Sequence, residues 1–172
     1  MKKLMLLLLC GLFFFLTYSC RTTIGDNRIV GTPYASEKIK KVHILIKLDQ
    51  NKGYSEKFGQ YIQKQLEAEN IESIISYIDD MDLNSNDKIK QEADSFKPLY
   101  ILRLNIADTD IYEMKQGGNI LTMTWDLNIS SAQNGKKIWD GGIIMSVGIK
   151  GKYQTKKAAQ ELFKQLKNDG II

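Results

Sequence analysis

Five stretches of the chain predict β-strands, and in the first and fourth of them apolar and polar side chains alternate with a period of two. In the fourth stretch, 120–131, five apolar residues point one way and five polar residues the other, so one face of that strand is buried and the other is in water. The third stretch, 99–106, is apolar at most positions, which predicts a central place in the sheet. The five predicted strands are residues 40–48, 71–78, 99–106, 120–131 and 136–149.

Three other segments repeat their apolar residues every three or four positions, which predicts three helices. Ser55 is placed to cap the first helix, Pro98 closes the second, and Thr155 is placed to cap the third. The apolar faces are Phe58, Tyr61, Ile62 and Leu66; then Ile89, Ala93 and Phe96; then Ala159, Leu162, Phe163 and Leu166.

The resulting order, βαβαβββα, predicts a mixed α/β fold with a single domain over residues 40–172, in which helices pack on a mixed five-stranded sheet. Asn134-Gly135 predicts a tight hairpin between the fourth and fifth strands, because both residues tolerate a positive φ. Gly141-Gly142 predicts a bulge or bend inside the fifth strand.

The amino terminus has the pattern of a secretory signal. Two lysines precede an uncharged apolar run over residues 4–16, which is shorter than the roughly twenty residues that span a bilayer as a helix. Residues 16–20, LTYSC, resemble the lipobox of bacterial lipoprotein signals. The resemblance implies that residues 1–19 are removed and that Cys20 receives acyl chains on its thiol and its new amine.

Two other interpretations of this segment stay open, namely a short transmembrane anchor that is never cleaved and a secreted protein whose Cys20 is incidental. The short run argues against the first, and the bulky Tyr18 argues against the second. Several acyl chains hold a protein on a membrane essentially permanently. The lipoprotein interpretation therefore predicts a membrane-tethered protein.

Residues 20–39 show neither a period of two nor one of 3.6, and they predict a lipidated amino terminus followed by a flexible tether. Fully extended, residues 21–38 reach roughly 60 Å at about 3.3 Å per residue. By resemblance, an aspartate after the lipidated cysteine signals retention in the inner membrane, and this chain has Arg21 there. We therefore expect an outer-membrane lipoprotein that faces the periplasm.

Charge and cysteine content exclude several classes of function. Without the two lysines of the signal, 22 basic residues oppose 20 acidic ones, which is too near neutrality to indicate nucleic acid as a partner. Cys10 leaves with the signal and Cys20 is the proposed lipid site. The folded part then has no thiol, so disulfides, thiolate metal sites and cysteine catalysis are excluded.

The candidate catalytic and metal-binding residues each have a simpler explanation. His43 is the only histidine, and no serine or cysteine nucleophile is paired with it by motif, so we favour an ordinary sheet-face residue. Oxygen-bearing residues after the second strand resemble a calcium loop, yet Ser85 replaces its turn glycine and Gln91 its bidentate glutamate. Loop solvation and helix capping explain the same residues: Asp79, Asp80, Asp82, Asn84, Asn86 and Asp87.

A second acidic group follows the third strand. Asp108, Asp110 and Glu113 could serve a carboxylate-dependent hydrolase, but nothing indicates a pocket that would separate their pKa values, and we favour an exposed connection. Trp139 stands close to the hairpin turn, where we expect partial exposure of the kind that aromatic anchors at interfaces show. Trp139 and Tyr112 are therefore the candidate partner-binding residues.

The stretch WDLNISSAQNGKKIWDG, an alternating strand followed by an Asn-Gly turn, a lysine and Trp139, resembles a group of small periplasmic α/β domains. The group includes the amino-terminal domain of TolB, the curli secretion lipoprotein CsgG and the lipoprotein activator of a bifunctional penicillin-binding protein. The resemblance implies a binding or assembly module for another envelope component, most simply a protein, without catalysis or cofactor. Handling of lipopolysaccharide or another lipid, in an apolar groove between sheet and helix, is the alternative.

Overall fold

The computed structural model describes residues 27–34, 38–48, 52–113, 119–148 and 154–172. Within these ranges the chain forms one domain of mixed α/β class, as predicted. Its elements are β1 (Asn27–Pro33), β2 (Lys41–Lys47), α1 (Lys52–Ala68), β3 (Glu72–Ile78), α2 (Ser85–Phe96), β4 (Tyr100–Glu113), β5 (Asn119–Ser131), β6 (Lys137–Gly148) and α3 (Thr155–Asn168).

The described strands form one six-stranded sheet in the order β1-β6-β5-β4-β2-β3. β2 lies parallel to both β3 and β4, because a helix connects each successive pair of these three strands. β4, β5 and β6 form an antiparallel meander, and β1 pairs antiparallel with β6. β3 and β1 are consequently the two edges of the sheet.

β1 is the strand that the hydrophobic pattern did not predict, so the sheet has six strands where five were expected. It lies inside residues 20–39, the segment predicted to be a tether, and pairs with β6 from Asn27↔Met145 to Pro33↔Trp139. Its backbone comes very close to the Trp139 ring, since a Cβ built on Gly31 would lie 2.5 Å from Cζ2 of that ring. The signal segment and Cys20 lie outside the described residues.

The main core lies between one face of the sheet and helices α1 and α3. Phe58 of α1 packs edge-to-face on Trp125 of β5, with ring centroids 5.1 Å apart. Aromatic pairs in this geometry contribute about 0.5–1.5 kcal/mol beyond the area that they bury. Other fully buried members are Ile44, Ile46, Ile62, Leu66, Leu102, Leu104, Leu127 and Leu162.

Both predicted amino-terminal caps are wrong. α1 already includes Lys52, so Ser55 lies inside the helix, where it is buried. Thr155 is the first residue of α3, and the capping position belongs to Gln154, whose side chain makes no capping bond. α3 therefore begins without a side-chain cap, and the predicted cap of α1 is part of the helix interior.

The predicted hairpin is confirmed and the predicted bulge is displaced. Gly135 has a φ of 68°, and its N–H donates to the carbonyl of Ser131 at 2.9 Å. Gly141 and Gly142 stay in register with β5, whereas the β5–β6 register shifts between Ile129 and Ser130. None of the helices in the described ranges is long and apolar enough to cross a membrane.

A candidate binding groove along the edge strand β3

β3 presents half of its backbone groups to the outside of the sheet. Its first residue, Glu72, donates its N–H to the Lys40 carbonyl, and the carbonyl of its last residue, Ile78, accepts the N–H of Leu48. The N–H and C=O of one residue point to the same side of a strand, and successive residues alternate. Ser73, Ile75 and Tyr77 therefore direct their backbone groups away from β2.

Side chains close the two ends of this open edge. Gln63 of α1 donates its amide to the Ser73 carbonyl at 3.1 Å, and Ser85 of α2 donates its hydroxyl to the Tyr77 carbonyl at 3.3 Å. Between these bonds, the structure shows no described partner for the N–H and C=O of Ile75 or for the N–H of Ser73 and Tyr77. The middle of β3 is thus left open for hydrogen bonding.

The open edge forms the floor of a groove of about 870 Å³ between α1 and α2. Its walls are mostly polar, and their amides, carboxylate and hydroxyl can both donate and accept hydrogen bonds. The lining residues are Gln60 and Gln63 of α1, Ile74, Ile75 and Tyr77 of β3, and Gln91, Glu92, Ser95 and Phe96 of α2.

A hydrogen-bonded chain behind the groove orients Glu92. His43 is only 1% exposed, and its Nε2 lies 2.5 Å from the Ser76 hydroxyl oxygen. Ser76 in turn donates its hydroxyl proton to Oε2 of Glu92. Because a hydroxyl has a single proton, Nε2–H of His43 must be the donor to Ser76.

The order of these three groups decides what they can do. In a catalytic triad the histidine stands between serine and acid, so that it accepts the proton of the serine. Here Ser76 stands in the middle, and its proton is committed to Glu92. Burial lowers the pKa of His43, although the nearby Glu92 opposes this shift, so burial favours the neutral imidazole. The hydrogen bonds from His43 through Ser76 to Glu92 thus position a carboxylate at the wall of the groove and do not activate a nucleophile.

No motif linked His43 to Ser76, because the two lie 33 residues apart in the chain. His43 does lie on a sheet face, as predicted, but on one that α2 covers, and it is buried. The available signal was Ser76, a polar residue between Ile75 and Tyr77, on the same side of the sheet as the histidine.

The two candidate partner-binding residues do not form one site. The expected partial exposure of Trp139 is wrong: the residue is 0% exposed, and its indole N–H donates to Oδ2 of Asp169 at 2.7 Å. Its ring lies against Gly31 of the neighbouring strand β1, next to the carboxylate of Asp169. Tyr112 pairs with Ile120 on β5, nine positions from the Ile129 that pairs with Trp139, or about 30 Å along the strand. The side chain of Tyr112 lies outside the described part.

The acidic loop between β3 and α2 uses its carboxylates in ion pairs. Asp79 pairs with Lys52, Asp80 with Lys47 and Asp82 with Lys88, at 2.5, 3.0 and 3.0 Å. Hydrogen bonds from Lys52 and Lys88 lower the pKa values of Asp79 and Asp82. In the described ranges no group of three or more histidine, cysteine or acidic side chains could hold a metal ion.

The second acidic group lies in a strand and not in a connection. Asp108 and Asp110 belong to β4, pair with Thr124 and Thr122, and are exposed. The backbone of Glu113 ends the same strand. These residues are on the extension of β4, away from the β3 groove.

No family model matches this chain, and no curated protein matches it. Solved structures do. A variant of PelC from Paraburkholderia phytofirmans, a dodecamer, matches with a TM-score of 0.51 and 15% identity over 83% of this chain and 98% of that one. A second PelC dodecamer from the same organism matches with a TM-score of 0.50 and 16% identity, over 87% of this chain and 99% of that one. The lipoprotein GNA1162 of Neisseria meningitidis matches with a TM-score of 0.49 and 12% identity, over 74% of this chain and 99% of that one. The likeness to PelC is one of fold, and the resemblance to TolB and CsgG stays a prediction.

Proposed function

We propose that this protein is a non-catalytic lipoprotein of the bacterial outer membrane, anchored through Cys20 and facing the periplasm. Its domain binds an extended segment of another envelope protein along β3. The observation that carries this proposal is the open middle of β3 between two polar walls.

The chemistry of the groove selects a polypeptide as the occupant. Outward N–H and C=O groups at strand spacing are complementary to another β-strand, which gains affinity from main-chain bonds and specificity from alternate side chains. Glu92 and the neighbouring amides offer hydrogen bonds to polar side chains of that strand, and the Phe96 ring offers an apolar surface. The bonds at Ser73 and Tyr77 confine the added strand to the middle of β3.

Two further observations support binding over catalysis. Ser76 stands between His43 and Glu92, an order that orients the carboxylate and leaves the hydroxyl inactive. PelC, whose fold this chain shares, is a dodecamer. We therefore propose that this protein also acts in assembly, and that its β3 groove binds the partner protein.

The anchor is tested by metabolic labelling with a palmitate analogue. Cys20→Ser should abolish labelling because it removes the acylated thiol, whereas Cys10→Ser should label like the wild type because Cys10 lies within the removed signal. Labelling that survives in the Cys20→Ser protein contradicts the lipoprotein assignment.

The groove is tested by photo-crosslinking in intact cells, with a benzoylphenylalanine at Gln91 on the groove wall and, as a control, at Lys164, which is exposed on α3. We expect one specific adduct at Gln91 and none at Lys164. Ile75→Pro should abolish the adduct because it removes the outward N–H, and Ile75→Ala, which retains that N–H, should keep it. Equal adducts in the proline and alanine variants contradict strand addition.

A further inference from the structure

Three large apolar side chains protrude into solvent to a degree that folded domains seldom show. Leu83 is 97% exposed, Met81 is 89% exposed, and Ile111 is 67% exposed. Scattered apolar residues on a surface are normal, but a group at one place marks a contact with a protein or a membrane. The strand registers place all three toward the same end of the sheet, with Ile111 six positions, or about 20 Å, further along β4 than the level at which β2 and β3 end.

That end is where the parallel strands finish. β2 and β3 end together at Lys47↔Ile78, and Met81 and Leu83 follow within five residues of Ile78. Ile111 lies in the part of β4 that continues beyond its pairing with β2.

β1 enters the sheet at the same end. Asn27 pairs with Met145, which pairs with Met123, which in turn pairs with Thr109 of β4. The first residue of β1 is therefore level with Thr109, two positions before Ile111.

The length of chain before β1 limits how far this end can lie from a membrane. Asn27 follows Cys20 by seven positions, and seven residues span at most about 25 Å when fully extended. The anchoring of Cys20 belongs to the proposed function, and the nearness of this end to a membrane rests on it. An anchored Cys20 keeps Asn27 within about 25 Å of the bilayer, and this end of the sheet is then the end nearer to the membrane, with Met81 and Leu83 at the edge opposite β1.

We infer that Met81 and Leu83 insert into the surface of the membrane that holds the acyl chains, and that Ile111 contacts the same surface from the extension of β4. The loop is held in shape for this contact, because Asp79 and Asp82 accept the backbone N–H groups of Met81 and Asn84 at 3.0 Å. The three lysine–aspartate pairs around the loop balance its charge, so these three carboxylates do not face lipid phosphates uncompensated.

The test uses the acylated mature protein in vesicles of phosphatidylethanolamine and phosphatidylglycerol, with a single environment-sensitive fluorophore on Leu83→Cys. An acylated Cys20 leaves no other thiol in the mature chain. The matched control is Leu99→Cys, because Leu99 is 53% exposed but lies at the opposite end of the sheet. We expect a blue shift and quenching by spin-labelled lipid at position 83, and neither at position 99.

Equal spectra at the two positions overturn the inference. A blue shift at position 83 that spin-labelled lipid does not quench also overturns it, since contact with a second copy or another protein then replaces lipid. The intact mass of the same sample separates the two proposals. A chain without acyl groups contradicts the proposed anchor, whereas an acylated chain with a water-exposed probe at position 83 contradicts only the membrane contact.

Discussion

The two faces of the sheet are packed in different ways. Helices α1 and α3 cover one face with fully buried apolar side chains, among them Phe58 and Trp125. On the other face, α2 has Ser85 as its only buried residue. Its contacts with the sheet include the bond from Ser76 to Glu92 and the ammonium of Lys41, which lies 4.6 Å from the centre of the Phe96 ring.

Under the proposed function, this difference separates stability from binding. The apolar face supplies the stability that a domain without disulfides needs. α2 has a single buried residue, and we expect it to open at lower free energy than the core. α2 also forms one wall of the β3 groove. The element that must adjust to a bound strand is therefore the one whose movement disturbs the core least.

The largest expected effect tests the apolar face. Phe58→Ala should lower the free energy of unfolding by about 3–5 kcal/mol, because it removes a fully buried ring and leaves a cavity against Trp125. Urea unfolding followed by circular dichroism measures the loss. Phe96→Ala on α2 should cost clearly less, since Phe96 is only half-buried, and equal losses would contradict the contrast between the faces.

A smaller effect tests the polar bond at the margin of the apolar face. Asp169→Ala should lower the free energy of unfolding by about 1–3 kcal/mol, because the buried indole N–H of Trp139 loses its acceptor. Asp169→Asn keeps an oxygen at this position and should retain most of the stability. If asparagine costs as much as alanine, the carboxylate charge matters and not the hydrogen bond.

The smallest effect tests the polar face through pH. Burial lowers the pKa of His43 in the folded protein, whereas in the unfolded chain this pKa is about 6.5. Below pH 6.5 the unfolded chain therefore binds more protons at this histidine than the folded protein does. The stability contributed by the neutral imidazole is complete above that pH and declines as the pH falls toward the folded pKa. Urea unfolding between about pH 5.5 and 7.5 should show this slope, and His43→Leu should flatten it. An unchanged slope in the variant assigns it to other groups.

The fold class was readable from the sequence because β5 and α1 each have one buried side and one more exposed side. Trp125 and Leu127 of β5 and Phe58 and Ile62 of α1 follow these periods and are buried where predicted. β1 was not predicted, because an edge strand can be held by backbone pairing on one side and needs no alternating pattern of apolar residues. Gly31 was a signal of the close approach to Trp139, but only with the position of Trp139 already known.

The candidate site was harder to predict because its parts are set by strand order. Ser76 and Glu92 reach His43 only once β3 lies beside β2 and α2 packs on their second face. The open edge at Ile75 likewise depends on β3 having no neighbour on one side, which no local pattern encodes. Trp139 was wrongly predicted to be partly exposed, because its place near a turn gave no sign of the β1 backbone against which its ring packs.

The pairing of β1 with β6 has a mechanical consequence for an anchored domain. Any pull between the membrane and the domain is applied at Asn27, so the β1–β6 hydrogen bonds carry the load first. If they separate together with the bond from the Tyr34 N–H to the Ile138 carbonyl, the next backbone bond in the described residues is at Ile39, whose N–H donates to the Ile171 carbonyl at 3.0 Å. The chain from Cys20 to that residue spans nineteen positions instead of seven, which raises its largest possible reach from about 25 Å to roughly 60 Å. In a domain anchored as proposed, one edge strand thereby limits the largest distance between the domain and the lipid.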